Sequence, residues 1–146
     1  MDLDLEVKLA IYSGAATTGM PPDGVEVARR LGVSAEDVRA ACARLAERRM
    51  LVLEPDGVTV RMAPPFSGVP TQHRVSSGSV EYFAPCAWDA LGIPAALRRA
   101  ATVDSRCEQS MEPLTLAVGE SGPEASDWLF HCVVPASKWW DDIVFT

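Results

Sequence analysis

Apolar positions in the N-terminal part of the chain recur at helical spacing, then give way to short runs broken by turn residues. Leu5, Leu9 and Tyr12 form one stripe of a helix expected over Leu5–Ser13 and stopped by Gly14. A second short helix spans Gly24–Leu31 and ends at Gly32. Ser34, with Asp37 three residues on, reads as a capping box in which Asp replaces the usual Glu or Gln. It opens a helix reaching about Met50, with Val38, Ala41, Cys42 and Leu45 on its buried face. Leu51-Val52-Leu53 and Val58-Thr59-Val60 flank the turn signal Glu54-Pro55-Asp56-Gly57 and predict a hairpin. Three helices followed by a hairpin is the winged-helix order.

Met62-Ala63-Pro64-Pro65-Phe66-Ser67-Gly68-Val69-Pro70 leaves little scope for regular structure and reads as a connector. Strand-like stretches follow at His73–Val75, Ser79–Phe83, Thr102–Arg106, Leu114–Val118 and Trp128–Val134, with a short helix over Ile93–Ala100. The fold class is therefore α+β. A winged-helix-like domain of three helices is expected over 1–62, a Pro/Gly-rich connector over 63–79, and a small mixed β-sheet domain with short helices over 80–146.

A length of 146 residues suffices for a real core, and 48% hydrophobic with 23% charged residues is ordinary for a soluble protein. No apolar run is long enough to cross a bilayer, and the start Met1-Asp2-Leu3-Asp4 lacks a basic signal-peptide region, so a cytoplasmic location is expected with no membrane partner. The net charge of −7 disfavours nonspecific attraction to nucleic acid. Locally, Glu36 and Asp37 open the helix that a winged-helix protein would lay against base edges, which opposes phosphate approach. Arg39, Arg44, Arg48 and Arg49 lie further along, where the helix dipole accounts for them. The four cysteines, Cys42, Cys86, Cys107 and Cys132, are scattered without a C-x-x-C pair, which argues against a zinc module and for free thiols in a reducing compartment.

Cys86 carries the most chemistry. It follows Pro85, a residue at home in the first turn of a helix, and precedes Asp89 by three positions. Positions three apart on a helix share a face, so thiol and carboxylate point together. The helix N-terminus favours the thiolate, the form that attacks electrophiles and binds soft metals, so Cys86 is expected to be the most reactive thiol. A carboxylate beside it holds a proton longer and delivers it to a leaving group. His73 and His131 pair with nothing obvious and read as structural, and Cys42 reads as core.

The segment Tyr82–Arg98, with Val103–Leu116 behind it, resembles the organomercurial (alkylmercury) lyase family, in which an aromatic-rich strand leads into a Cys-x-x-Asp turn followed by Leu, Pro and a short helix. Cys86-Ala87-Trp88-Asp89-Ala90-Leu91-Gly92-Ile93-Pro94-Ala95 follows that pattern, and Val103-Asp104-Ser105-Arg106-Cys107 with Glu112-Pro113-Leu114-Thr115-Leu116 is similar to the family's V-S-S-H-C strand and the P-V-S-L after its turn. The resemblance implies protonolytic cleavage of a carbon–mercury bond. Cys86 would be the first thiolate, Asp89 the proton donor and Cys107 structural. No cofactor is implied, and Hg2+ is the bound product. Implied partners are a small organometal or other thiol-reactive substrate, cellular thiols and a mercuric reductase.

The second family thiolate lies on a late strand in a context like F-C-x-H-V-H-F-F-A-S. Its counterpart, Trp128–Ser137, puts Leu129 or Phe130 at that position, with Cys132 two or three residues later. A two-residue offset keeps the same strand face, so Cys132 would sit roughly 6–7 Å along and still serve as the second catalytic thiolate. The mercury ligands would then be Cys86, Cys132 and Asp89. The family continues beyond the point matching the end of this chain, which implies a shortened member or a fragment. Two other readings stay open: a homologue with different chemistry, either a thiol-dependent enzyme on another small substrate or a soft-metal-binding protein, and a winged-helix metal-responsive regulator.

Overall fold

A computed structural model describes residues 2–144; Met1, Phe145 and Thr146 lie outside it. Helix α1 spans Leu3–Thr18, capped by Asp2 and closed by Gly19 at φ 91°. The expected stop at Gly14 does not occur. Gly14 is interior because a Cβ there would lie 2.7 Å from Pro22 Cδ, so glycine is needed where the returning chain crosses the helix. The buried stripe also differs from expectation: Val7, Ile11 and Ala15 face inward while Leu5 and Leu9 are exposed. Both stripes of this helix are apolar, so periodicity alone does not choose between them.

Helices α2 (Gly24–Leu31) and α3 (Ala35–Glu47) complete the N-terminal trio. Ser34 caps α3 by accepting from the Asp37 amide at 3.0 Å, and its hydroxyl donates to the Asp37 carboxylate at 2.6 Å. Val38, Ala41, Cys42 and Leu45 are buried as the spacing predicts. Asp4 at the start of α1 turns inward and takes a forked ion pair from Arg44, with Nε at 3.0 Å and Nη2 at 2.7 Å. Strands β1 (Val52–Leu53), β2 (Val60–Ala63) and β3 (Phe66–Ser67) form an antiparallel sheet in that order. The segment expected to lack regular structure is thus strand at both ends of the Pro64–Pro65 turn.

The second sheet is antiparallel, in the order β5-β4-β6-β7-β8. Its strands are β4 (Arg74–Ser77), β5 (Val80–Phe83), β6 (Ala101–Arg106), β7 (Pro113–Gly119) and β8 (Gly122–Pro123). One helix, α4 (Ala87–Leu97), packs on it, replacing the separate short helix expected over Ile93–Ala100. Pro94 is tolerated inside α4: it forfeits the bond to the Ala90 carbonyl, but its ring is buried with Ala90 and Ile93 in the core. Complete burial of a side chain the size of Ile93 contributes about 1.5–3 kcal/mol.

Helix α1 belongs to both cores. Tyr12 packs against each cluster, Ala15 lies within the second, and the buried Tyr82 hydroxyl donates to the Ala16 carbonyl at 2.7 Å.

Trp128–Val134, expected as a strand, is not one; its residues up to Val133 are exposed and only Val134 is partly covered. The sheet ends at β8, where Pro123 has no N–H to continue a ladder, and the run Trp-Leu-Phe-His-Cys-Val-Val lacks the alternation that would mark a core face. The chain instead runs over the surface as a strap and closes with a 3₁₀ turn at Ala136–Asp141.

Two carboxylates tie stability to acid. Asp56 accepts the Val58 and Thr59 amides at 2.9 and 2.8 Å, together with the Thr59 hydroxyl, which holds its pKa down at about 2. The Asp4 carboxyl is lowered chiefly by its hydrogen bonds from Arg44. Groups with a depressed folded pKa stabilise fully above their unfolded pKa, near 3.9, and lose that contribution as pH falls through the folded value. The thermal midpoint is therefore expected to drop between about pH 4 and pH 2, and less steeply in Asp56→Ala; equal slopes would remove Asp56 from the account.

Candidate active site

Cys86 is fixed by the end of β5. The Ala84 amide donates to the His73 carbonyl at 2.9 Å and the Thr71 hydroxyl donates to the Ala84 carbonyl at 2.7 Å, pinning the residue before Pro85-Cys86. His73 is itself buried, with Nδ1 2.7 Å from Ser105 Oγ on β6, a structural role in line with expectation. The helix begins two residues later than Pro85 suggests: Cys86 is the N-cap of α4, with extended φ −150° and ψ 175°. Asp89 follows in the first turn, and Cys86 Sγ donates to Asp89 Oδ2 at 3.7 Å. Both residues are half-buried.

Burial pushes the Cys86 thiol above its ordinary pKa, and the neighbouring Asp89 charge adds to the rise. The Asp89 and Trp88 amides pull the other way without closing a capping hydrogen bond. Burial and the adjacent acid thus oppose the helix N-terminus, which was expected to favour the Cys86 thiolate. Asp89 is also raised, by burial, with its contact to Cys86 opposing. Two adjoining acids that each disfavour charge share a proton readily.

Cys132 is exposed on the strap and makes no hydrogen bond among the described residues. No three His, Cys, Asp or Glu side chains cluster as metal ligands there either. The structure thus brings together two of the three expected site residues, Cys86 and Asp89. Cys42 is buried and its thiol is pushed up by desolvation. Cys107, at the turn after β6, is the thiol whose pKa is lowered, first by the Ser110 hydroxyl and then by the Ser110 and Gln109 amides directed at its sulfur. At neutral pH a limiting alkylating reagent is thus expected to modify Cys107 before Cys86, with Cys86 overtaking only once a soft metal electrophile is used. Peptide mapping checks the order; Cys86 alkylated first at neutral pH would restore the dipole argument.

The sequence reading missed two sets of neighbours. Tyr12 of α1, its hydroxyl donating to the Met50 carbonyl at 2.9 Å, lies near enough to Asp89 for the carboxylate charge to help raise the phenol pKa, after burial. Trp88, between Cys86 and Asp89, packs against two rings of the strap: Phe130 with centroids 5.6 Å apart and Trp139 at 6.3 Å, edge-on. The position of Trp88 inside Cys86-x-x-Asp89 was the available signal for the second set; nothing local in the sequence points to Tyr12.

The model of a known family, alkylmercury lyase, matches residues 66–146, more than half of the chain. The chain belongs to the alkylmercury lyase family. A solved structure, the mercury-bound form of MerB2, is similar in fold, with a TM-score of 0.64 at 23% identity. The superposition covers 84% of this chain and 60% of that one, so this chain spans about three-fifths of its length. No curated protein sequence gives a significant match. Within the family frame, the matched region starts at β3 and takes in the whole Cys86–Asp89 turn and the strap. No helix among the described residues is long and apolar enough to cross a membrane.

Proposed function

We propose that this protein cleaves the carbon–mercury bond of organomercurials by protonolysis. The observation that carries the reading is the 3.7 Å contact between Cys86 Sγ and Asp89 Oδ2. Mercury is soft and prefers sulfur to oxygen or nitrogen. As R-Hg+ meets Cys86, the S–Hg bond forms and the thiol proton passes to the Asp89 carboxylate. The thiolate pushes electron density through mercury onto carbon, and Asp89 then protonates that carbon. The Hg–C bond breaks, R–H leaves, and Hg2+ stays on the Cys86 thiolate with the regenerated Asp89 carboxylate beside it. Every proton used arrives with the pair, so no cofactor is called for. The product then passes to cellular thiols and from them to a mercuric reductase in the cytoplasm.

Residues 1–62 in this reading form a winged-helix-like packing domain that lends Tyr12 to the site. Residues 63–79 join it to the lyase-like part at 80–146. Incubation with phenylmercury tests the function: benzene is expected, and mercury uptake without benzene would leave a soft-metal-binding protein.

Cys132, solvent-exposed on the strap, is read as dispensable for holding the product. Cys132→Ala is expected to retain Hg2+ against a competing thiol within about threefold of wild type. A loss of orders of magnitude would mean that the strap brings a second sulfur to Cys86.

A further inference from the structure

Residues facing each other as a hydrogen-bonded pair in an antiparallel ladder exchange two backbone bonds. Strands β4 and β5 keep one register to the end, where Arg74 lies opposite Phe83. Continuing that register, His73 faces Ala84, and only half of their exchange is direct: the Ala84 amide donates to the His73 carbonyl at 2.9 Å. The other half passes through a side chain. The His73 amide donates to Thr71 Oγ1 at 3.1 Å, and the Thr71 hydroxyl donates onward to the Ala84 carbonyl at 2.7 Å. A hydroxyl thus stands in the last rung of the sheet, where the chain turns off toward Cys86. The opposite side of the rung is fixed as well, since His73 Nδ1 lies 2.7 Å from Ser105 Oγ on β6. Ala84 is fully buried, so its carbonyl relies on a partner from the protein.

We propose that Thr71 is a positioning residue for the reactive pair: the hydroxyl it inserts between His73 and Ala84 sets the course of the chain into Cys86 and so holds the thiol on Asp89. The consequence for turnover rests on the lyase reading; the geometry does not. Only Pro85, whose ring fixes its φ, separates the pinned Ala84 from Cys86. On the other side, the Cys86 carbonyl accepts the Ala90 amide at 3.0 Å and so joins α4, the helix that carries Asp89 in its first turn. Cys86 therefore spans two anchors, the sheet rung and the helix. Without the hydroxyl, the His73 amide and the Ala84 carbonyl either lose a partner or close directly on each other. Both outcomes move the Ala84 anchor while Asp89 stays with the helix, and a misplacement of about 1 Å is enough to cost about 10² in rate.

Two quantities test this in the wild type, Thr71→Val and Thr71→Ser: single-turnover cleavage of phenylmercury, and the alkylation rate of Cys86 relative to Cys107 in the same molecule, read by peptide mapping. Valine keeps the shape of threonine and removes the hydroxyl; Thr71→Ala takes its place if the valine variant does not fold. Cleavage is expected to slow by about 10² in the hydroxyl-free variant while Cys86 still captures the mercurial, and to recover in Thr71→Ser. Alkylation of Cys86 relative to Cys107 is expected to rise severalfold in the hydroxyl-free variant, because the thiol leaves the carboxylate to which it donates, and to return to the wild-type ratio in Thr71→Ser. Either quantity unchanged in the hydroxyl-free variant overturns the proposal, and a lowered thermal midpoint alone would leave Thr71 a purely structural residue. If the wild type releases no benzene, the lyase reading fails and the alkylation ratio alone decides the role of Thr71.

Discussion

Cys86→Ser is expected to abolish organomercurial cleavage, lowering kcat/KM by ~10³ or more, because one substitution removes both capture and activation. Serine keeps the shape of the helix N-cap, and the oxygen is a better capping group than sulfur, so the fold is expected to persist or gain slightly. What is lost is softness: an alkoxide or hydroxyl at this position does not compete for mercury with the thiols of the solution. Mercury titration followed by mass spectrometry under a competing thiol should show the metal leaving the variant while far-UV circular dichroism stays unchanged. Residual turnover close to that of the wild type would move the chemistry to another cysteine, Cys107 being the one with the lowered pKa.

Asp89→Asn separates binding from cleavage. The amide cannot take the thiol proton or deliver one to carbon, so single-turnover cleavage is expected to slow by at least about 10², the usual size of a general-acid contribution. Capture of the mercurial by Cys86 should survive. The Asp89 charge and hydrogen bond both raise the Cys86 pKa, so the variant thiol is expected to titrate lower than in wild type, and ultraviolet absorbance of the thiolate measures this independently of turnover. The wild-type pH profile follows from the same pair. Its active form carries one proton between thiol and carboxylate. Activity is lost on the acid side as Asp89 becomes protonated before substrate arrives, and on the alkaline side as the shared proton is lost. Both limbs are displaced upward, since both groups are raised. An Asp89→Asn rate equal to wild type would remove the carboxylate from the mechanism.

The parts of this structure that a short stretch of sequence determines were legible in the sequence. The Ser34 cap, the buried face Val38–Ala41–Cys42–Leu45 and the juxtaposition of Cys86 with Asp89 each depend on residues three or four apart on one helix. Features that depend on distant partners were not. Gly14 reads as a stop until Pro22 is seen against it, and the inward stripe of α1 is decided by two cores that no local pattern reveals. The Trp128–Val134 run has the composition of a strand, yet a strand needs an edge to pair with, and β8 offers only Gly122–Pro123. Within the site, spacing gave the contact but not the burial around it: this helix start is half-buried with an acid in contact, and both oppose the dipole at Cys86. Tyr12 reaches Asp89 only through the packing of α1 on both cores.

The proton placed on carbon is expected to come from the Cys86–Asp89 pair. One equivalent of protein mixed with phenylmercury in deuterated water, without a reductant or added cofactor, tests it most directly. One equivalent of singly deuterated benzene per protein is expected, with Hg2+ left on Cys86 and with the rate at least about a hundredfold lower in Asp89→Asn. Phenylmercury remaining intact on Cys86 after prolonged incubation would contradict it.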